Sequence, residues 1–232
     1  MTVIAEELSG NGWIHPVARY MLEHGLPLTL KIAAASVIGS AIVGIVLGTL
    51  MTIDWWPSRA LIRLYIEIWR GLPIVVTIFI IFFALPSFEI RFPAWEAAAI
   101  GLSLWGSAQV AEATRGAVQS IPREQHEAAR ALGFGWLGTH VFVIVPQALR
   151  RLLPPLVSLL VNVIQNSTLA ALIGATELLK SAQLQVEGLT LPPPTGIGEL
   201  HAFPIYGAVL AAFFAISFPL TRLAAYLERR LV

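Results

Sequence analysis

"REQHEAARALGFGWLGTHVFVIVPQALRRLLPP", residues Arg123 to Pro155, lies between two long apolar stretches and carries six charged side chains, two histidines, a glycine break at Gly133 and several prolines. From about Ala113 to Leu132 the pattern is helical, with Arg115, Arg123, Glu124, Glu127 and Arg130 set among alanines. Pro122 fits a break or a first helical turn. Ala128, Ala129 and Ala131 give a thin helix that can enter a groove with little side-chain bulk. Gly133 can take the left-handed conformation that ends such a helix. Pro146 reads as a further break before the next apolar segment.

The chain around this stretch is built for lipid. Hydrophobic residues make up 56% of the 232 residues and charged ones 12%, about half of what a soluble domain carries. Mean hydropathy is +0.75. The length suits one folding unit, a single membrane domain over residues 1–232, and leaves no room for a separate catalytic domain. A net charge of +1 gives no case for nucleic acid. Cysteine is absent, which removes disulfides and thiolate chemistry. The opening "MTVIAEELSGNGWIHPVARY" shows no basic-then-apolar run, so the first apolar segment is expected to remain as a span rather than be cleaved.

A span needs about 20 mostly apolar residues. Five are expected, at approximately 28–52, 66–88, 94–114, 152–175 and 202–222, with a polar loop at about 116–150. The third is long enough only if a charged residue at either end reaches the interface. Placing the N-terminus outside puts Arg59, Arg63, Arg70, Arg115, Arg123, Arg130, Arg150, Arg151, Arg222, Arg229 and Arg230 inside, against Arg19, Lys31, Arg91 and Lys180 outside. That asymmetry fixes the orientation by the positive-inside rule. The expected fold is therefore an all-α membrane protein with five transmembrane helices, a helix in the cytoplasmic loop, the N-terminus outside and the C-terminus inside. Within the first span Ser36, Ser40, Gly44 and Gly48 recur every fourth residue and form a face another helix can approach closely. An odd number of spans argues against an inverted-repeat carrier in one chain; a symmetric path needs a second copy.

Several stretches carry a resemblance. Glu127-Ala128-Ala129, then Gly133, then Val143-Ile144-Val145-Pro146 resembles the EAA loop of type I ABC importer permeases, with valines at Val143 and Val145 where the family has isoleucine and leucine. "LYIEIWRGLP" is similar to the polar amino acid branch at Tyr65, Glu67, Arg70, Gly71 and Pro73, with Leu72 in the usual threonine position. "SAQVAEATRGAVQSIPREQHEAA" resembles the same branch, apart from Gln109 in place of tyrosine and Glu124 in place of glycine. "PQALRRLLPPLVSLLVNVIQNSTLAALI" resembles its fourth span, where the branch reads Lys-Asp-Thr-Ser-Leu over Gln165 to Leu169. The resemblance implies a bacterial cytoplasmic-membrane permease working with two ABC ATPase subunits, a second permease (the same or a homologous chain), an extracytoplasmic amino-acid-binding protein and membrane lipid. It also implies that Glu127, Ala128, Ala129, Arg130, Leu132 and Gly133 couple to the ATPase. No cofactor is expected in this chain, ATP and Mg being bound by the ATPase partner. In keeping with that, the only approach to a phosphate-binding loop is "GATELLKS", where Leu179 stands before Lys180 in place of glycine.

Ser158, Asn162, Gln165 and Asn166 share one face of the fourth span. Such a stripe serves either interhelical hydrogen bonding or the lining of a water-filled path. With Thr168 and Gln109 it forms the candidate substrate pathway that the resemblance favours. Asn166 standing at the branch's aspartate removes an anion that would attract cationic cargo, which favours an acidic or neutral amino acid. His15, His24, His126, His140 and His201 show no metal-ligand spacing. Glu67 with Arg70, and Glu112 with Arg115, read as ion pairs at helix ends. The external segment 177–204 reads as a reshaped contact for the binding protein or as an unstructured loop. An ATP-independent channel or carrier and an intramembrane enzyme are the competing functions; the second lacks paired catalytic residues at one depth.

Overall fold

The structure, a computed structural model, describes residues 12–53, 55–192, 195–196 and 198–231; the opening eleven residues lie outside the described part. Eight helices are described: α1 (Ile14–Leu50), α2 (Trp56–Gly71), α3 (Ile74–Phe88), α4 (Ala94–Gln119), α5 (Arg123–Ala131), α6 (Trp136–Ile173), α7 (Leu178–Thr190) and α8 (Ala202–Leu231). Helix accounts for 85% of the structure, with no strand among the described residues. α1, α6 and α8 are each long and apolar enough to cross a membrane, and α2 with α3 makes a fourth crossing if the bent pair is one span.

Small side chains determine the centre. α4 is rich in alanine, glycine and serine, which lowers its hydropathy but lets neighbouring backbones come close. α1 packs along it more extensively than any other pair of elements. Thr29, Ile32, Ala33, Ser36, Ser40, Gly44 and Gly48 form the buried stripe of α1, as the fourfold spacing predicts. A Cβ on Gly44 would collide with the Val110 side chain and the Ser107 carbonyl, and one on Gly48 would come within 2.6 Å of Thr114 Cβ. The serine hydroxyls in the contact stay satisfied: Ser36 Oγ donates to the Ile32 carbonyl at 2.7 Å. Around this seam Ile32, Ile78, Leu102 and Val163 are fully buried where α1, α3, α4 and α6 meet.

The helices do not share their limits with the expected spans. The second apolar segment is two helices, α2 and α3, bent by 100°. Pro73 forces the residue before it out of the helical region, and Leu72 is extended with φ −82° and ψ 138°. α1 begins at Ile14, well before the expected residue 28, and α6 begins at Trp136, so the second half of the expected loop is already helix. Pro146 does not break α6. It follows a π-helical segment at Thr139–Ile144, and the same arrangement recurs with Pro27 after Met21–Gly25 and Pro86 after Ile80–Ala84. In each case the proline sits two residues beyond the widened turn. Its missing N–H falls where the register change already alters the bonding, and the wider turn gives the ring room.

Segment 177–204 is not an unstructured loop through its first half. α7 packs against the start of α1 and of α8, through Trp13, Val17 and Met21 with Leu178, Ala182, Ile205 and Val209. Glu177 caps α7, its carboxylate accepting from the Leu179 and Lys180 N–H groups at 3.0 and 2.8 Å. Thr29 Oγ1 accepts from the Leu178 N–H at 3.0 Å and ties the cap to α1.

Candidate functional site

Two places gather the residues singled out from sequence. The first is α5 and its closing turn. Pro122 precedes the helix and Glu124 lies in its first turn, with Arg130 in the last, the arrangement that suits the helix dipole. At the C-terminal end Gly133 adopts φ +82°. The Gly133 N–H donates to the Arg130 carbonyl at 2.9 Å and the Phe134 N–H to the Ala129 carbonyl at 3.1 Å. This pair of bonds is a Schellman closure, and the left-handed glycine expected from sequence is what permits it.

α5 is held firmly to the frame. Arg151 Nη1 donates to both the carbonyl and the hydroxyl of Ser120 at 2.7 Å, which clamps the turn leading into α5. Gln147 Nε2 donates to Gln125 Oε1 at 3.2 Å and so ties α5 to α6. Ala129 is 2% exposed, and its small side chain serves the packing of α5 inside the chain. Ala128 is exposed, and Leu132 is 78% exposed. Glu127 and Arg130 lie on the other side and line a cavity of about 690 Å³ beneath the helix. The six residues expected to couple thus divide: Ala128 and Leu132 face outward, Glu127 and Arg130 line the cavity, Ala129 packs inward and Gly133 closes the turn.

The second place lies between α4 and α6. Gln109, Ser158 and Asn162 line a cavity of about 340 Å³ together with Trp105, Pro155 and Leu156. Gln165 does not join them; it lines a separate cavity of about 460 Å³ against Phe213, Phe214 and Ser217 of α8. Asn166 and Thr168 line neither cavity. The Asn166 carboxamide donates to the Asn162 carbonyl at 2.8 Å, and Thr168 Oγ1 to the Gln165 carbonyl at 2.8 Å. Asn162 Nδ2 donates to the Ser158 carbonyl at 3.1 Å, and its carboxamide oxygen accepts no hydrogen bond among the described residues. Trp105 was not picked out from sequence. Its place one helical turn before Gln109 is the signal that could have found it, since residues four apart share a face. Among the described residues no charged side chain lines this cavity, so its chemistry is that of amide and hydroxyl dipoles on an apolar wall. Among the described residues no cluster of His, Asp or Glu could hold a metal.

Residues 40–232 match the family described as the binding-protein-dependent transport system inner membrane component. The chain belongs to this family. Membership makes it a membrane component of a transport system and not an enzyme. Among its relatives, the probable glutamine ABC transporter permease protein GlnP of Bacillus subtilis (strain 168) is 33% identical over 220 residues, covering 92% of this chain and 98% of that protein. The glutamine transport system permease protein GlnP of Escherichia coli (strain K12) is 33% identical over 213 residues, covering 91% and 93%. The fold is similar to the crystal structure of an amino acid ABC transporter with histidines, with a TM-score of 0.79 and 26% identity over 94% of this chain and 96% of that one. It is also similar to the MetNI methionine ABC transporter in an inward-facing conformation, with a TM-score of 0.73 and 18% identity over 94% and 98% of the two chains, a likeness of fold.

Proposed function

We propose that this transport component is the permease subunit of an ATP-driven ABC importer for a polar amino acid, acidic or neutral, in the bacterial cytoplasmic membrane. In this reading α5 engages the ATPase and the cavity of Gln109, Ser158 and Asn162 forms part of the substrate path. The observation that carries it is the mounting of α5: a short helix clamped just before its start, tied in its first turn and closed at its end, with an apolar side chain, Leu132, offered outward. A lever that transmits force needs that rigidity, and the exposed leucine gives it an apolar contact to offer a partner.

The crossings are α1, the broken α2–α3 pair, α4, α6 and α8, with the N-terminus outside. Support for this orientation comes from Arg59, Arg63, Arg115, Arg123 and Arg130, which arrive from separate segments and line one cavity, as cytoplasmic residues at one end of a bundle should. Lys31, from the opposite set, sits over the Trp95 ring at 3.5 Å. For the cargo, the uncharged lining favours a substrate that binds through dipoles, and two relatives are named for glutamine. Two ATPases, a second permease (the same or a homologous chain) and an extracytoplasmic binding protein complete the assembly. ATP and Mg are held by the ATPases.

The test is uptake into proteoliposomes carrying the chain with its ATPase and binding protein, using labelled glutamine, glutamate and arginine. Uptake of glutamine or glutamate that requires ATP, with arginine excluded, is the expected result. Flux without ATP would establish the channel or carrier instead, and arginine as the preferred cargo would overturn the assignment of the neutral cavity.

A further inference from the structure

The cavity beneath α5 is strongly basic. Arg59, Arg63, Arg115, Arg123 and Arg130 line it, and Glu127 is the one carboxylate among the described residues that line it. Two of the arginines have internal work: Arg115 is bonded to Glu112 and Gln119, and Arg59 Nε donates to the Ile53 carbonyl at 2.7 Å. Arg63, Arg123 and Arg130 form no ion pair or hydrogen bond among the described residues. Arg59, Arg63, Arg123 and Arg130 are all exposed, so water screens their mutual repulsion and leaves the guanidinium groups accessible to an anion. The volume, about 690 Å³, is that of a small-molecule site.

The surroundings indicate which anion. Beside Arg59 and Arg63, the first turns of α2 expose Trp55 at 61%, Trp56 at 78% and Leu61 at 69%. Tryptophan concentrates at the level of lipid headgroups, and exposed leucine on the same short helix offers a surface for acyl chains. Arginine forks match phosphate oxygens in pairs, and basic pockets between membrane helices on the cytoplasmic side suit lipid phosphates. We propose that this cavity is a binding site for a phosphate oxyanion, carried by the headgroup of an anionic membrane lipid, held by Arg63 of α2 and by Arg123 and Arg130 of α5. The bound lipid would bridge the broken span to the coupling helix. The proposal does not depend on the cargo, and its test reads binding, so its failure leaves the transport reading standing.

The experiment uses the permease–ATPase complex, delipidated in detergent and titrated with phosphatidylglycerol or phosphatidylcholine under native mass spectrometry. The expected result is one phosphatidylglycerol per permease held in preference to phosphatidylcholine. Arg63→Gln with Arg123→Gln should weaken that site by about tenfold or more, from the loss of two charge-assisted bonds. Arg63→Lys should retain part of the affinity, and Arg229→Gln with Arg230→Gln, at the far end of α8, should leave it unchanged. Thermal midpoints of all variants show whether each complex remains folded. Three outcomes overturn the proposal: undiminished binding in the double variant, equal affinity for the two lipids, or no site in the wild-type complex because an ATPase side chain fills the cavity. Inorganic phosphate distinguishes the sources. Competition only at concentrations well above the lipid's supports the headgroup assignment, whereas tighter binding of the free ion than of the lipid overturns it.

Discussion

Gly133 gives the sharpest perturbation because its surroundings isolate one effect. Its φ is +82°, yet a Cβ built there meets nothing within 4 Å. Substitution therefore costs backbone strain and no clash. A non-glycine residue held in a sparsely populated conformation costs roughly 1–3 kcal/mol, a branched residue lying at the upper end and asparagine, which tolerates the left-handed region, at the lower. That range corresponds to roughly a 5- to 150-fold shift between the closed and the unwound end of α5. Unwinding releases the bonds from Gly133 to Arg130 and from Phe134 to Ala129 and frees Leu132 from its fixed direction. The assay is ATP hydrolysis measured beside amino acid uptake in the same proteoliposomes. Uptake per ATP should fall in the order wild type, Gly133→Asn, Gly133→Ala, Gly133→Val, while expression and basal hydrolysis hold. A Gly133→Val variant that couples as well as wild type would refute the reasoning, as would Gly133→Asn and Gly133→Val behaving alike.

Other predictions follow from packing, polarity and titration. Gly48→Val drives a side chain into the Ala111 carbonyl and Thr114 and should cost about 1–3 kcal/mol of overpacking, read as a lower thermal midpoint; Gly116→Ala, with open space around its Cβ, should instead raise it slightly through helix propensity. Asn162→Asp places an anion in the α4–α6 cavity and should depress uptake of an anionic cargo far more than that of a zwitterion. Asn166→Asp, at a residue outside that cavity, should have the smaller effect, and the reverse ranking measured in uptake would return the pathway to Asn166. Burial raises the Glu177 carboxyl above its ordinary value of 4.5, against the pull of the Leu179 and Lys180 N–H groups. The folded state therefore holds this proton more tightly than the unfolded one, and the group's contribution is full below 4.5 and lost as pH rises through the raised value. Thermal midpoints in detergent should decline over that window, and Glu177→Gln should flatten the decline.

The small-residue face of α1 and the glycine end of α5 were legible from spacing alone, because each rests on local chemistry that few alternatives share. The breaks were harder. Pro73 and Pro146 give the same sequence signal, yet the first bends the chain by 100° and the second is absorbed by a π-helical turn. What separates them is the neighbouring structure: α5 and the Gln125–Gln147 tie hold the start of α6 in line, whereas residues 71–73 are exposed. The polar stripe of α6 was legible as a stripe but not as a site. A helical face is wide enough to meet two neighbours, and here α4 takes Ser158 and Asn162 while α8 takes Gln165. α7 was unread because its apolar residues are interrupted by Lys180, Gln183, Gln185 and Glu187, and its burial depends on α1 and α8 arriving from distant sequence.

The central claim, that α5 meets the ATPase through its outward face, can be tested directly because the chain contains no cysteine. A photoactivatable maleimide attached to a Leu132→Cys variant, illuminated in membranes carrying the full transporter, should yield a permease–ATPase adduct. The same label on Thr195→Cys, in the segment proposed to lie outside, should give none. An adduct from Thr195→Cys with none from Leu132→Cys would contradict the account, placing α5 away from the ATPase and reversing the orientation of the chain.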